Sequence, residues 1–422
     1  MAGDPISKFQ EYAGKSPEDA KFYWTGGPIE VAERTWFASL FSGSTSFETD
    51  EGLVVVDAGM AQLGAGLAAL VRQKTQALVH TAIYTHGHVD HAYGLRSFLA
   101  PGQALPRIVG HRNMPARFER YELTQGHNQA LNARQFGGTV TAATANPGYD
   151  TFRLPALPPD VLYDDHLTLT VGGVRFELHH AKGETDDHTW VFCPDRGVLC
   201  PGDLFIWAVP NAGNPQKVQR YPWAWARALR EMAACRPRSL CPGHGGAVVG
   251  DADRIQTMLL ETAEYLESIV SQTLKIMEGG SPPHVDVVRA VEIPKSDSPW
   301  LQPVYDDAEF IIRNIIRFYG GWFSGRPSEL KPAPRDAVAQ EIAALAGGAT
   351  ALALRAREVS ARDLRLACHL ADYALEADPS SAEVQEAVAE LYLRRAALEP
   401  SLMGVNLFRS AAAYAKEGRP FR

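Results

Sequence analysis

The chain has 422 residues, 45% of them hydrophobic and 21% charged. This is ordinary globular usage, and the length accommodates two or three domains of roughly 150 residues each. Forty-one Lys and Arg against 49 Asp and Glu give a net charge of −8 with no basic block, which excludes a surface built to neutralise nucleic-acid phosphates.

From the N-terminus, Met1 to Ser16 alternates acidic and basic residues with no basic start and apolar stretch; no secretory signal is expected there. Thr35 to Phe47, Gly52 to Asp57 (GLVVVD) and Leu78 to Thr85 (LVHTAIYT) read as short strands between Gly/Pro turns. Near-continuous apolar strands of this kind are buried on both faces under helices. The apolar-leaning run Ala58 to Val71 is too short to cross a bilayer, which takes about 20 residues. Arg107 to Gly110 and Val174 to His180 are further strands. Between them, residues 111 to 145 form a polar insertion too long for a plain connector, and such insertions often shape a substrate site. Past Gly250 the pattern turns helical. Asp251 caps a run carrying Ile255, Leu259, Leu266, Val270 and Met277, and Gly279-Gly280 stops it. Pro294 to Pro303 is a connector, Ala308 to Phe318 a helix, and Gly320 to Pro334 a second connector. The remainder is Ala/Leu/Glu/Arg-rich and helical, with Val384, Val388 and Leu391 on one face. It contains one helix–turn–helix unit of tetratricopeptide type, which does not make an array. The five cysteines are odd in number and lack CxxC spacing. They read as buried thiols in a reducing cytoplasm.

The chemistry concentrates in Thr85-His86-Gly87-His88-Val89-Asp90-His91, which follows a buried strand and precedes a helix expected from Asp90 through Leu95 and Phe98. Residues two apart on extended chain point the same way, so His86 and His88 can aim at one point. Asp90 and His91 lie past the turn and can address a second. Imidazole and carboxylate are zinc ligands, and four of them within six residues would be costly polar ballast without an ion. Three later strand ends offer more: His179 to His188 around Gly183-Glu184, Pro201-Gly202-Asp203, and Pro242-Gly243-His244-Gly245. Sites in layered α/β proteins gather at such strand ends. No G-x-S-x-G elbow is present for a serine hydrolase.

HxHxDH, a glycine-flanked ligand, GD and PGHG in this order resemble the metallo-β-lactamase superfamily over roughly residues 30 to 250. The resemblance implies an α/β fold, an αββα metallo-β-lactamase sandwich followed here by an all-α helical domain. It also implies a dinuclear metal site, with two Zn2+ per chain or another divalent metal in their place. It assigns His86, His88 and Glu184 to one metal, Asp90, His91 and His244 to the other, and Asp203 as the bridge, with Asp57 as a structural aspartate. Glutamate at the position of Glu184, where most of the superfamily has histidine, is similar to the alkylsulfatases, which also carry a helical dimerisation domain. The tail from RFYGGWFSGRPSELKP onward looks like that domain. Alkylsulfatases usually have glutamate where this chain has Asp203. They also usually carry a secretion signal and a third, lipid-carrier-like domain, neither of which is expected within these residues. The implied organisation is a catalytic domain at 1–250, a helical connector at 251–320 and a dimerisation domain at 321–422.

The activity so implied is hydrolysis of alkyl sulfate esters by a metal-bridging hydroxide. Asp90 would orient it and take up its proton, and His188 would act as proton donor or supporting partner. Asn211, eight residues past Asp203, with Lys217 and Arg220 would bind the substrate's anionic oxygens. His111 and His127 are further candidates for substrate contact. His179 and His180 read as structural, and His80, His166, His284 and His369 as inert. Hydrolysis of a lactone, phosphodiester, thioester or β-lactam is the alternative. A di-iron redox protein is a more distant one, since that group places its glutamate at the position held here by His88. The expected partners are a small anionic or ester substrate and a second copy of the chain, with no nucleic acid and no membrane span.

Overall fold

The computed structural model describes residues 25–136 and 156–421. The expected absence of a signal at residues 1–16 and the last part of the 111–145 insertion therefore lie outside the described residues.

Two sheets stack face to face. The first runs in the order β1 (Gly26–Ala32), β2 (Thr35–Ser39), β3 (Gly43–Thr49), β4 (Gly52–Val56), β5 (Val79–Ile83), β6 (Arg107–His111), β7 (Val161–Tyr163). Its first four strands are antiparallel, and β4 through β7 pair in parallel. The second holds β8 (His166–Val171), β9 (Val174–His180), β10 (Thr189–Cys193), β11 (Val198–Ile206), β12 (Ser239–His244) and β13 (Val248–Val249). It is mostly antiparallel, with one parallel pair, β11 and β12. The strand GLVVVD shows why layers form. Val54 and Val56 face the second sheet beside Phe37, Phe47, Phe176 and Leu178. Leu53 and Val55 point the other way, under α1 (Ala61–Arg72). Alternation sends successive side chains to opposite faces, so a strand apolar at every position needs a layer on each side.

The outer face of the second sheet is covered by α5 (Pro222–Ala234), α6 (Ala252–Glu278) and α8 (Ala308–Gly320), all in one core cluster with Trp190, Leu204 and Trp207. Asp251 caps α6 by accepting from the Arg254 N–H at 3.0 Å, and the helix ends before Gly279 as its sequence implies. The segment 251–320, expected as a connector, thus supplies one outer layer of the sandwich; α7 (His284–Ala290) joins the same cluster.

The helix expected from Asp90 to Phe98 breaks in two. α2 (Val89–Ala92) is one turn, followed by a 3-10 turn at Leu95–Phe98. Gly94 donates to the Gly59 carbonyl at 2.8 Å, and a Cβ at Gly94 would lie 2.1 Å from the Ala58 carbonyl oxygen. This backbone contact with the turn after β4 pulls the chain out of helix. In the insertion, α3 (Met114–Leu123) and α4 (Gln125–Gln135) stand over the strand ends.

Beyond residue 334 come α9 (Arg335–Ala346), α10 (Ala349–Val359), α11 (Leu364–Ala377), α12 (Ala382–Ala396) and α13 (Leu402–Lys416). They enclose a separate core that includes Val384, Val388 and Leu391. This all-helical domain follows the αββα sandwich in the chain.

Candidate metal centre and substrate cavity

The loops that leave β4, β5 and β9, together with β11 and the end of β12, meet at one edge of the sandwich, where parallel strands end and ligand sites collect. His86, His88, Glu184 and Asp203 bring one ligand atom each within 4.8 Å of one another, and Asp90, His91 and His244 do the same beside them. All seven sequence-assigned ligands are therefore together. His88 Nδ1 lies 3.9 Å from Glu184 Oε2, and His86 Nε2 lies 3.6 Å from Asp203 Oδ2. Asp203 Oδ2 is 3.6 Å from His244 Nε2, and its Oδ1 is 3.2 Å from His91 Nε2. Asp203 thus stands between the two groups, as a bridging carboxylate must. Asp90 Oδ2 is 3.4 Å from His244 Nε2 and 3.6 Å from His91 Nε2.

The buried atoms His91 Nε2 and Asp203 Oδ1 have no hydrogen-bond partner. Two orphaned buried polar atoms facing each other are costly unless something shared satisfies both. A cation fits, because every ligand type present is an imidazole or a carboxylate. The remaining ring nitrogens are oriented by the protein. His91 Nδ1 donates to Asp57 Oδ2 at 2.8 Å, and His244 Nδ1 donates to the Phe41 carbonyl at 2.9 Å. Such partners orient the rings and turn each Nε2 toward the cluster. Asp57 also accepts from the Thr85 N–H and hydroxyl, both at 2.7 Å, so it ties the end of β4 to the start of the HxHxDH loop. Its backbone is left-handed, φ +56°.

Burial, with neighbouring imidazoles, pushes the His86 pKa well below its ordinary value, and burial does the same to His88 with help from Arg220 and Arg117. That direction favours the neutral imidazole, the state a metal ligand needs. Burial works against a charge on His91, but the surrounding Asp203, Asp90 and Asp57 carboxylates override it and raise its pKa well above the usual range. Burial would raise the Asp203 pKa, yet His91, His244 and His86 hold it well below the carboxylate range. The pocket stabilises positive charge at its centre.

Gly202 precedes Asp203 with φ +59°, and a Cβ there would sit 2.6 Å from Thr85 Oγ1 and 2.7 Å from His188 Nε2. Only glycine lets β11 run this close to the HxHxDH loop.

The cluster opens onto a cavity of about 610 Å³. Its walls come from α3 and α4, from the loop after β11, and from Phe41, Met60 and Tyr305. Asn211, Lys217 and Arg220 all line it, but two of them also grip Glu184 of the candidate ligand cluster. Arg220 Nη1 bonds Glu184 Oε1 at 2.7 Å and the Glu184 carbonyl at 2.6 Å, and Asn211 Nδ2 donates to the same Oε1. They turn Glu184 Oε2 toward His88. Burial lowers the Arg220 pKa to about 10, still cationic at neutral pH. Lys217 Nζ donates to Asn132 Oδ1 at 2.8 Å and has no carboxylate partner among the described residues; burial lowers its pKa to about 8.

His188 is placed differently from a proton donor. It is fully buried behind His86, ring stacked on ring at 4.5 Å, with Nε2 on the Pro201 carbonyl at 3.0 Å, and it is absent from the cavity wall. It lies at the strand end rather than in the loop mouth because Thr189 begins β10, and its N–H bonds the Thr85 carbonyl at 2.6 Å. His127 lines the cavity. His111 instead stacks on His180 at 3.8 Å, and burial lowers its pKa to about 4.

Sequence reading missed several supports. Arg117, buried on α3, pairs with Asp187 at 2.9 Å and also with Asp186; Asp187 in turn accepts from the Gly87 N–H at 2.9 Å. Asp306 accepts from the Gly213 N–H at 2.6 Å, and Asn314 Nδ2 donates to the Ala212 and Arg220 carbonyls. Both brace the loop carrying Asn211, Lys217 and Arg220 from the 251–320 layer. Nothing local in their sequence marks them.

A family model described as the metallo-beta-lactamase superfamily matches residues 41–244, and one described as alkyl sulfatase dimerisation matches residues 284–418. The chain is an alkylsulfatase-like protein of the metallo-β-lactamase superfamily. It is 26% identical over 354 residues to a linear primary-alkylsulfatase of a Pseudomonas species, covering 78% of this chain and 66% of that protein. It is 23% identical over 376 residues to the alkyl/aryl-sulfatase BDS1 of Saccharomyces cerevisiae, covering 83% and 57%. The solved structure of the stereoselective inverting sec-alkylsulfatase Pisa1 from Pseudomonas superposes with a TM-score of 0.81 at 20% identity, over 93% of this chain and 66% of that one. The chain spans at most about two thirds of the length of these alkylsulfatases, and the structural likeness establishes the shared fold. No single helix among the described residues is long and apolar enough to cross a membrane.

Proposed function

We propose that this alkylsulfatase-like chain is a dinuclear zinc hydrolase of alkyl sulfate esters that works as a homodimer. The observation that carries the reading is Glu184, set among the histidines and held by Asn211 and Arg220 on the wall of a cavity large enough for an amphiphile. Two divalent cations bound at these ligands would supply water of lowered pKa and Lewis-acid stabilisation of developing negative charge. The chain's own residues do the rest. Asp90, half-buried at the cavity edge, is placed to accept a proton. Lys217 presents an ammonium group to a sulfate oxygen, a charge-assisted contact. Leu131, Ile206 and Val218 offer apolar wall to an alkyl chain. The match to the alkyl sulfatase dimerisation family supports the homodimer. Free cysteines at 193, 200, 241 and 368, all buried, support a cytoplasmic location.

Asp203, shorter by one methylene than the usual alkylsulfatase glutamate, favours a second reading: another ester-type bond, in a lactone, phosphodiester, thioester or β-lactam. A panel of primary and secondary alkyl sulfates, a phosphodiester, a lactone, a thioester and a β-lactam, run on metal-analysed protein with Asp203→Ala as control, separates the two. Sulfate release from the alkyl sulfates, lost in Asp203→Ala, is the expected result. Turnover of another panel member without sulfate release would replace the first reading with the second. Light scattering at micromolar protein is expected to give twice the chain mass.

A further inference from the structure

The last helix, α13, contributes no residue to the cavity wall, yet it touches that wall at two places. Met403, fully buried, packs with Ile206 and Tyr305, both of which line the cavity. One turn on, Asn406 Nδ2 donates to the Gln135 carbonyl at 2.8 Å, and one further turn on, the Ser410 hydroxyl donates to the Arg134 carbonyl at 3.3 Å. These are carbonyls of the last turn of α4, which have no intrahelical donor. The Arg134 guanidinium lies over the rings of Tyr414 and Phe421, at 5.8 and 5.2 Å, closing the same joint from the other side. From the catalytic side, Gln216 Nε2 donates to the Leu131 carbonyl at 3.3 Å, and Gln135 Nε2 to the Tyr305 hydroxyl at 3.2 Å. The end of α4 is thus capped by donors from two distant parts of the chain. The other face of α4 carries His127, Asn128, Leu131 and Asn132 into the cavity, where Asn132 receives Lys217.

We infer that Asn406 and Ser410 are positioning residues for the substrate cavity: the helical domain sets where α4 stands, and through the Asn132–Lys217 bond sets the fit of the substrate's polar group. The helical domain therefore has a part in substrate recognition besides joining subunits. A residue acting this way changes binding more than chemistry, because the metal cluster is held by other elements.

This inference rests on the hydrolase reading, so its test has one readout that does not need turnover. In Asn406→Leu, which keeps volume and removes the donor, amide hydrogen exchange across residues 128–135 is expected to accelerate by about tenfold or more, the size set by leaving a buried carbonyl without its donor. With whichever ester the protein hydrolyses, KM is expected to rise about tenfold while kcat and metal content stay within about twofold. Ser410→Ala is expected to give a smaller shift in the same direction, and Ser410→Thr, which keeps the hydroxyl, to restore the parent KM. Unchanged exchange in α4, or a loss of kcat and metal in step with KM, would overturn the positioning role. If the parent turns over no ester, the hydrolase reading fails, and exchange alone still decides whether α13 holds α4.

Discussion

At the residue scale, the centre depends on groups that never touch the cluster's middle. Asp57 fixes His91 and Thr85 at once, and the residue is 3% exposed. Asp57→Asn keeps a side chain that tolerates left-handed backbone but loses the charge. It is expected to weaken metal binding by about 10- to 100-fold, the usual effect of losing a carboxylate behind a ligating histidine. Competition against a chromophoric chelator measures this, and parent-like affinity would remove Asp57 from the metal site. The seven candidate ligands were legible in the sequence because imidazole and carboxylate beside glycine at strand ends have few structural uses, and the resemblance picked out the members of the set that the structure brings together. His188, read as a proton donor or a supporting partner, turned out to be the latter: it sits just before β10, stacked behind His86, a placement set by the Thr189–Thr85 backbone bond rather than by any local pattern. Arg220 was half legible: its charge announced anion binding, but the anion it grips in this structure is Glu184.

At the element scale, the cavity walls are held by buried ions whose burial has consequences. Arg117 on α3 secures the HxHxDH loop through Asp187, and both are buried. Burial would raise the Asp187 pKa, but Arg117 prevails and holds it below the usual value. Arg117→Met leaves that carboxylate uncompensated and is expected to cost about 3–5 kcal/mol in a urea titration. Asp306 behaves oppositely. Burial raises its pKa to about 7 from an ordinary 3.8, against the pull of three backbone N–H donors. Below about pH 4 the group is protonated both folded and unfolded, so no penalty arises. As pH climbs from there through 7, the unfolded chain ionises freely and the folded one resists, so stability drains away across that window. Asp306→Asn is expected to flatten the decline in urea midpoint between pH 5 and pH 8; parallel profiles would contradict it. The layers were readable from apolar periodicity, since GLVVVD can only be a strand buried twice. The broken helix after Asp90 was not, because Gly94 stops it through contact with Ala58, a long-range cause that no local pattern shows. For the same reason 251–320 read as a connector: its prolines are local, while its packing on α5 and β11 is not.

At the scale of the whole molecule, two cores share one site. The sandwich supplies the candidate ligand cluster, and the helical domain, with its own core, reaches the cavity through α13. Separate domains with a polar joint of this kind are ordinarily free to move, but here the joint is made of helix-end carbonyls that lose their donors if it opens. Removal of divalent metal by chelation is expected to lower the unfolding midpoint of the sandwich and to leave the helical core's transition in place, because bound ions stabilise only the part that holds them. Calorimetry with and without chelator reads this directly, and one single transition that shifts as a whole would show that the two cores unfold as one.

Asp203 has a consequence for how the centre fills. One carboxylate, fixed by its strand, offers an oxygen toward each of two neighbouring ligand groups. If two cations bind here, an occupant on either side would hold this shared carboxylate in place for the other and would make the two binding events a linked pair. Titration of stripped protein with zinc, followed by native mass spectrometry, is therefore expected to show empty and doubly charged-up chains coexisting, with singly loaded chains scarce at half saturation. A statistical mixture dominated by single occupancy would mean that the two halves fill without regard to each other.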